Sequence, residues 1–84
     1  MNSMKVNILF FGQAKELSGT RQHSILLNEN STLHDCKLLL ESEFPKLIEL
    51  NSYAFAVNKD YIRDMNYILT DEDELALLPP VSGG

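Results

Sequence analysis

The residues best placed to do chemistry in this sequence are its last six, Pro79-Pro80-Val81-Ser82-Gly83-Gly84. Gly83 and Gly84 carry no side chains, so backbone atoms there can enter a channel too narrow for any Cβ. The reactive group of such a tail is the α-carboxylate of Gly84. With a reference pKa of roughly 3.3–3.7 it is ionised at neutral pH and inert toward nucleophiles. It becomes useful only after another protein activates it. Pro79 and Pro80 each fix φ near −65° and remove a backbone donor, so a sheet ladder should end there. Their preference for extended or polyproline backbone predicts a tail over residues 79–84 that projects from the body. At about 3.3–3.6 Å per extended residue, the final four residues reach at most roughly 14 Å into a partner. The pattern describes a delivery arm.

Little else in the chain offers chemistry. Cys36 sits on the apolar stripe of an expected helix and reads as a buried, inert thiol rather than a persulfide carrier. His23 and His34 lack metal-type spacing with Cys, Asp or Glu, so no metal site is expected. Neither a nucleophile–base pair nor a phosphate-cradling glycine loop is present in the sequence. Lys15 reads either as a contact for partner carboxylates or as a solvated turn residue. Asp71 to Glu74 reads as a solvated acidic turn, with docking of a partner as the alternative.

Composition sets the frame for this arm. Eighty-four residues, 44% hydrophobic and 23% charged, make one small domain with a single core, spanning 1–84. Twelve acidic against seven basic side chains give a formal charge of −5. There is no Lys/Arg cluster, which argues against nucleic acid as a partner and for attraction to a basic patch on a protein. One cysteine cannot form an intrachain disulfide, which suits a reducing compartment. The apolar stretch after Met1-Asn2-Ser3-Met4-Lys5 is short and contains Asn7, so neither a membrane span nor a signal peptide is expected. A cytoplasmic location follows by default. Met1-Asn2-Ser3 has no apolar face to bury and is expected to fray.

The elements that must carry the arm can be read in order. Lys5–Phe11 is dense in β-formers, with Val6, Ile8 and Phe10 alternating against Asn7, Leu9 and Phe11, as in a central strand. Gly12 to Thr20 reads as a connecting turn, and a second strand runs from about Gln22 to Leu27 into the polar Asn28-Glu29-Asn30. Thr32 fits a helix N-cap with Asp35 as its capping-box partner. Leu33, Cys36, Leu39, Leu40 and Phe44 form one apolar stripe, with Lys37, Glu41 and Glu43 facing water. Pro45 ends that helix, and Lys46 to Leu50 reads as a short turn. Tyr53–Val57 is a third strand, and Asn58-Lys59-Asp60 turns tightly into Tyr61-Ile62. Tyr67-Ile68-Leu69 is a short apolar piece, and Glu74–Leu78 is the last strand. This order predicts an α+β fold, a mixed sheet of about five strands packed on one main helix, with the first and last strands paired centrally. By alternation, Phe10 and Leu77 lie on the face opposite Phe11 and Leu78. If the helix covers Phe10, then Phe11 and Leu78, with Tyr61, form an apolar surface for partners.

Three blocks carry a family resemblance. They are Leu9-Phe10-Phe11-Gly12-Gln13-Ala14-Lys15-Glu16-Leu17-Ser18-Gly19, Phe55-Ala56-Val57-Asn58, and Asp73-Glu74-Leu75-Ala76-Leu77-Leu78-Pro79-Pro80-Val81-Ser82-Gly83-Gly84. From Lys5 onward the chain resembles the MoaD family, the small sulfur-carrier subunits of molybdopterin synthase, which are ubiquitin-like proteins of the β-grasp fold. Gly-Gly alone is shared by many ubiquitin-like proteins, whereas Pro-Pro-Val-Ser-Gly-Gly together with the Phe-Phe block is specific. Lys15 stands where the family commonly has Arg, keeping the charge without the bidentate fork.

The resemblance implies a two-stage carrier. An E1-like adenylyltransferase and sulfurtransferase, using ATP with Mg, would adenylate Gly84, and sulfur would then replace AMP to give a thiocarboxylate. The tail, with Pro79, Pro80, Val81, Ser82 and Gly83, would enter the large subunit of molybdopterin synthase and donate sulfur to precursor Z, a cyclic pyranopterin monophosphate. Phe11, Lys15, Tyr61 and Leu78 would form the docking surface. The resemblance also implies a heterotetramer of two small and two large subunits. It further implies no cofactor bound by this chain and no catalytic group of its own. Other readings stay open on the residues alone. They are a sulfur carrier of another thiolation pathway, a modifier conjugated through Gly84, and a plain interaction domain.

Overall fold

A computed structural model describes residues 2–50 and 52–78 of the chain. Five strands form one sheet: β1 (Ser3–Phe10), β2 (Gln22–Asn28), β3 (Ala54–Val57), β4 (Asp60–Ile62) and β5 (Glu74–Leu78). Their spatial order is β2-β1-β5-β3-β4. The first and last strands pair in parallel at the centre, with Phe10 opposite Leu77, and every other pairing is antiparallel. This is the mixed β-grasp sheet that the order of elements predicts.

Alternation decides the core. Met4, Val6, Ile8 and Phe10 of β1 are buried, as are Ile25 and Leu27 of β2, Phe55 and Val57 of β3, and Leu75 and Leu77 of β5. Helix α2 (Leu33–Glu43) covers this face with Leu33, Cys36 and Leu40. The Phe10 ring stands edge-on to Phe44 at 5.3 Å, and Phe44 in turn meets His23 at 5.1 Å. Phe10 therefore marks the helix side, as one of the two alternatives required. Burying a side chain of this size contributes on the order of 1.5–3 kcal/mol.

Helix α2 begins as the sequence predicts. The Thr32 hydroxyl accepts the Asp35 N–H at 3.2 Å, and the Asp35 carboxylate accepts the Thr32 N–H at 2.9 Å. This reciprocal box satisfies two of the donors that every helix start leaves unpaired.

Several expectations need correction. Gly12–Ser18 is a helix, α1, rather than a turn. It buries only Ala14 and ends at Gly19, whose φ of 78° is the left-handed conformation that glycine adopts without strain. Pro45–Leu50 is a 3₁₀ helix that buries Leu47. Strand β1 starts at Ser3, and the Asn2 carbonyl accepts the Glu29 N–H, so the expected fraying does not reach these residues. Tyr53 lies just before β3, and Ile68 makes one isolated bridge to Thr32 instead of a strand. Lys37 and Glu41 are half-buried, because they close over Tyr53 rather than facing water.

Candidate functional site

The tail residues Pro79, Pro80, Val81, Ser82, Gly83 and Gly84 lie outside the described residues. What precedes them is well defined. Strand β5 is held between β1 and β3, and its final residue, Leu78, pairs with Ala54. Strands β1 and β3 flank it through Leu77, and β3 alone holds Leu78.

Among the described residues, no helix covers the sheet face opposite α2. Cross-strand register aligns Gln22, Leu9, Ala76, Ala56 and Tyr61 in one row across this face, and Leu78 beside Ala54 in the next. Three alanines keep the middle of the face flat. Tyr61 is 55% exposed at one side, and Phe11, just beyond the end of β1, is 46% exposed. Exposed aromatic rings on a flat apolar surface are what a protein partner can desolvate.

Phe11 and Leu78 meet, as alternation predicts. They line one depression of about 380 Å³ with Gly12, Leu50 and Tyr53. Tyr61 belongs to a second depression, with Tyr53, Ala54 and Met65. Lys15 is exposed on α1 and lines a third groove with Phe11, Arg21 and Gln22. Phe11 thus touches the settings of both Leu78 and Lys15, while Tyr61 stands apart.

Tyr53 is the residue that sequence reasoning missed, for it lines the depressions of both Leu78 and Tyr61. Its hydroxyl donates to Glu41 Oε2 at 2.7 Å, and Lys37 Nζ reaches the same oxygen at 3.1 Å while lying 5.6 Å from the Tyr53 ring centre. The ring stands edge-on to Phe55 at 5.4 Å. Burial, reinforced by the Glu41 carboxylate, holds the Tyr53 phenol well above its ordinary pKa, so it stays a donor at neutral pH. Burial alone would raise the Glu41 carboxyl, but the Tyr53 and Lys37 hydrogen bonds outweigh it and hold the group below the usual range. The i,i+4 spacing of Lys37 and Glu41 was visible in the sequence, but their shared aromatic partner was not.

Asp73 also departs from expectation. It is only 5% exposed, not a solvated member of an acidic turn. Its carboxylate accepts Asn58 Nδ2 at 2.9 Å, the Thr70 N–H at 2.8 Å and the Thr70 hydroxyl at 3.0 Å. Cys36 is buried, as its place on the apolar stripe predicts, and burial pushes its pKa up to about 12, which leaves almost no thiolate at neutral pH. Among the described residues, no group of three or more His, Cys, Asp or Glu side chains could hold a metal, and no helix is long and apolar enough to cross a membrane.

Comparison with known proteins identifies the surroundings of this geometry. Residues 8–84 match the ThiS family. The molybdopterin synthase sulfur carrier subunit of Arabidopsis thaliana is 36% identical over 99% of this chain and 86% of its own length. That of Dictyostelium discoideum is 34% identical over 98% of this chain and 99% of its own. Among solved structures, the complex of subunits 1 and 2 of the molybdopterin-converting factor from Helicobacter pylori contains a chain with a TM-score of 0.70 and 32% identity. It covers 96% of this chain and all of that one. The small archaeal modifier protein 1 of Haloferax volcanii, at a TM-score of 0.84 but 21% identity, shares the ubiquitin-like fold alone.

Proposed function

This chain belongs to the ThiS family and, within it, to the sulfur carrier subunits of molybdopterin synthase; from that membership we propose that Gly84 is the atom-carrying end of the molecule. Its carboxylate would attack the α-phosphorus of ATP on an E1-like enzyme, releasing pyrophosphate and leaving a glycyl adenylate. Sulfide-level sulfur from a donor then attacks the carbonyl carbon and displaces AMP. The resulting thiocarboxylate is anionic on sulfur at neutral pH and is a competent nucleophile. It donates that sulfur to precursor Z inside the large subunit, and two such donations complete one dithiolene. Water cleaves the acyl–sulfur bond after each transfer, leaving sulfur on the pterin and returning the spent carrier as a carboxylate.

Each part of the chain has a role in this scheme. Gly83 and Gly84 pass a narrow channel because they lack Cβ atoms. Pro79 and Pro80 limit the conformations lost on insertion, while Val81 and Ser82 give the channel wall a side chain to grip. Phe11, Tyr61 and Leu78 dock on the large subunit through the open sheet face, with Lys15 at the rim. This chain contributes sulfur and its placement, a proximity effect, and the partner contributes acid–base chemistry. A subunit 2 is present with the Helicobacter pylori relative, which supports a large-subunit partner. The heterotetramer of two small and two large subunits, the E1-like enzyme with ATP and Mg, and the cytoplasmic setting complete the proposal. A reducing cytoplasm keeps the lone Cys36 a thiol.

The observation that carries this reading is the family match through residue 84, joined to a β5 strand paired on both sides through Leu77. Reconstitution tests it. Thiocarboxylated protein, a molybdopterin synthase large subunit and precursor Z should yield molybdopterin, and protein lacking Gly84 should yield none. Product formation without Gly84 would overturn the proposal.

A further inference from the structure

The two edges of the sheet are built differently. Strand β4 is three residues long, begins with Asp60 and is flanked by Lys59 and Arg63, the short charged edge that discourages pairing. Strand β2 spans Gln22–Asn28 with the sequence QHSILLN, which has no charge, proline or glycine to blunt it. Its Leu26 is 68% exposed.

The direction of the β2 backbone groups follows from two bonds. Phe10 N–H donates to the Arg21 carbonyl at 2.9 Å, and Glu29 N–H donates to the Asn2 carbonyl at 3.2 Å. Antiparallel register carries that parity along the strand, so Arg21, His23, Ile25, Leu27 and Glu29 turn their N–H and C=O groups toward β1. Gln22, Ser24, Leu26 and Asn28 therefore turn theirs outward. The Gln22 carbonyl accepts the Thr20 hydroxyl and the Asn28 carbonyl accepts the Ser31 N–H, each keeping a second lone pair. Ser24 and Leu26 are left with both groups facing away from the sheet.

We propose that β2 is a self-complementary edge through which two copies of this chain pair, antiparallel about a two-fold axis at Ile25. In this register every outward residue finds an outward residue. Ser24 exchanges both backbone bonds with Leu26 of the second copy, Gln22 does so with Asn28, and the same pairs recur across the axis. Ile25 faces its own counterpart. The register also brings Arg21 opposite Glu29 of the second copy at both ends of the ladder. Both residues are exposed, and among the described residues neither has an ion-pair partner. Charge complementarity at both ends of an otherwise uncharged strand singles out a second copy as the occupant. Since β1 separates β2 from β5, the pairing leaves both Leu78 ends clear and joins the two sheets into one. The contact is a single strand pair against a net charge of −5. Its dissociation constant should accordingly lie on the order of 0.1–1 mM, tightening as salt screens that repulsion.

Sedimentation equilibrium of the intact chain, up to millimolar concentration, tests this proposal alongside five variants. Wild type should form a dimer. Arg21→Glu and Glu29→Arg should each weaken it about fivefold or more, and the double variant carrying both changes should restore it. Leu26→Pro removes only an outward N–H, which an edge strand tolerates, and should abolish dimer while circular dichroism stays native. If Leu26→Pro does not fold, the charge-swap series alone decides. A wild type that is monomeric throughout would overturn the proposal. So would a double variant no better than either single one, or a dimer that survives Leu26→Pro and is lost in Tyr61→Ala.

Discussion

Asn58 and Asp73 bind each other side chain to side chain, Nδ2 to Oδ1 at 2.9 Å, and this contact ties the β3–β4 turn to the start of β5. Asn58 Oδ1 at the same time accepts the Glu74 N–H at 3.0 Å, and the Asn58 N–H donates to the Glu74 carbonyl at 2.8 Å. The Asp73 carbonyl accepts the Asn7 N–H at 2.9 Å. One turn residue thereby sets where the tail-bearing strand begins, between β1 and β3.

Asp73→Ala should cost about 2–3 kcal/mol, because it strips three donors of a charged acceptor and leaves the Thr70 N–H in a part-buried site without a partner. Asn58→Ala should cost about 1–3 kcal/mol, losing bonds on both sides of its amide. Urea denaturation checks both. The double variant should cost less than the sum of the two, since the changes share the Asn58–Asp73 bond.

The same turn contains a residue that substitution can improve. Asn58 and Lys59 have φ of 50° and 77°, and they form a two-residue hairpin loop between Val57 and Asp60. Asparagine tolerates this region, whereas lysine is strained there. Lys59→Gly should raise stability by about 0.5–1 kcal/mol, read as an upward shift of the thermal midpoint, with carrier activity unchanged. A downward shift would contradict the strain assigned to Lys59.

Acid should weaken the start of α2. The Thr32 backbone and hydroxyl hydrogen bonds hold the Asp35 carboxyl below its ordinary 3.8. A carboxyl with a depressed folded-state pKa adds stability above its unfolded value and loses it as pH falls through the folded one. The loss from Asp35 therefore begins below about pH 4. Carbon-detected NMR titration should place the Asp35 midpoint below 3.8. Thr32→Ala should move it back up and cost about 0.5–2 kcal/mol at neutral pH.

How far the sequence told this in advance varies with the element. Strands β1, β2 and β5 and helix α2 were legible because each carries an apolar period long enough to recognise, and α2 also carries its capping box. Helix α1 was not, since seven residues burying only Ala14 leave no stripe to read. Asp73 was hidden inside Asp71-Glu72-Asp73, where neighbouring carboxylates look alike and only the turn, with Glu72 at φ 69°, turns one of them inward. Phe11 and Leu78 followed from alternation. Tyr53 could not, because its place depends on Glu41 and Lys37 arriving from another element. The proposed role of Gly84 rests on its residue type together with the family resemblance, since Gly84 lies outside the described residues.

The open face should behave as a docking surface, not as core. Tyr61→Ala, at an exposed position, should leave the thermal midpoint within a degree or two of wild type. It should weaken binding to a molybdopterin synthase large subunit by about 1–3 kcal/mol in calorimetry, the usual range for an aromatic anchor. Phe11→Ala should do the same, and Lys15→Ala should act chiefly on the association rate and its salt dependence. Unchanged binding in both aromatic variants would place the interface elsewhere.

Cys36 should be dispensable for sulfur transfer. A thiol buried in the core and pushed up to about 12 supplies too little thiolate to hold sulfur for delivery. Cys36→Ala should keep full carrier activity while losing about 1 kcal/mol of stability from the missing sulfur atom. Activity lost from a folded Cys36→Ala protein would assign that thiol a chemical role.

The central claim is that sulfur travels on the Gly84 carbonyl. Intact-mass spectrometry of the protein after incubation with an activating enzyme, ATP, Mg and a sulfur donor measures this directly. A species heavier by one sulfur-for-oxygen exchange, located in the C-terminal peptide, is expected. It should be absent without ATP and absent when the chain is extended beyond Gly84. Failure of that species to form under activating conditions, or its appearance at Cys36 instead, would contradict the account.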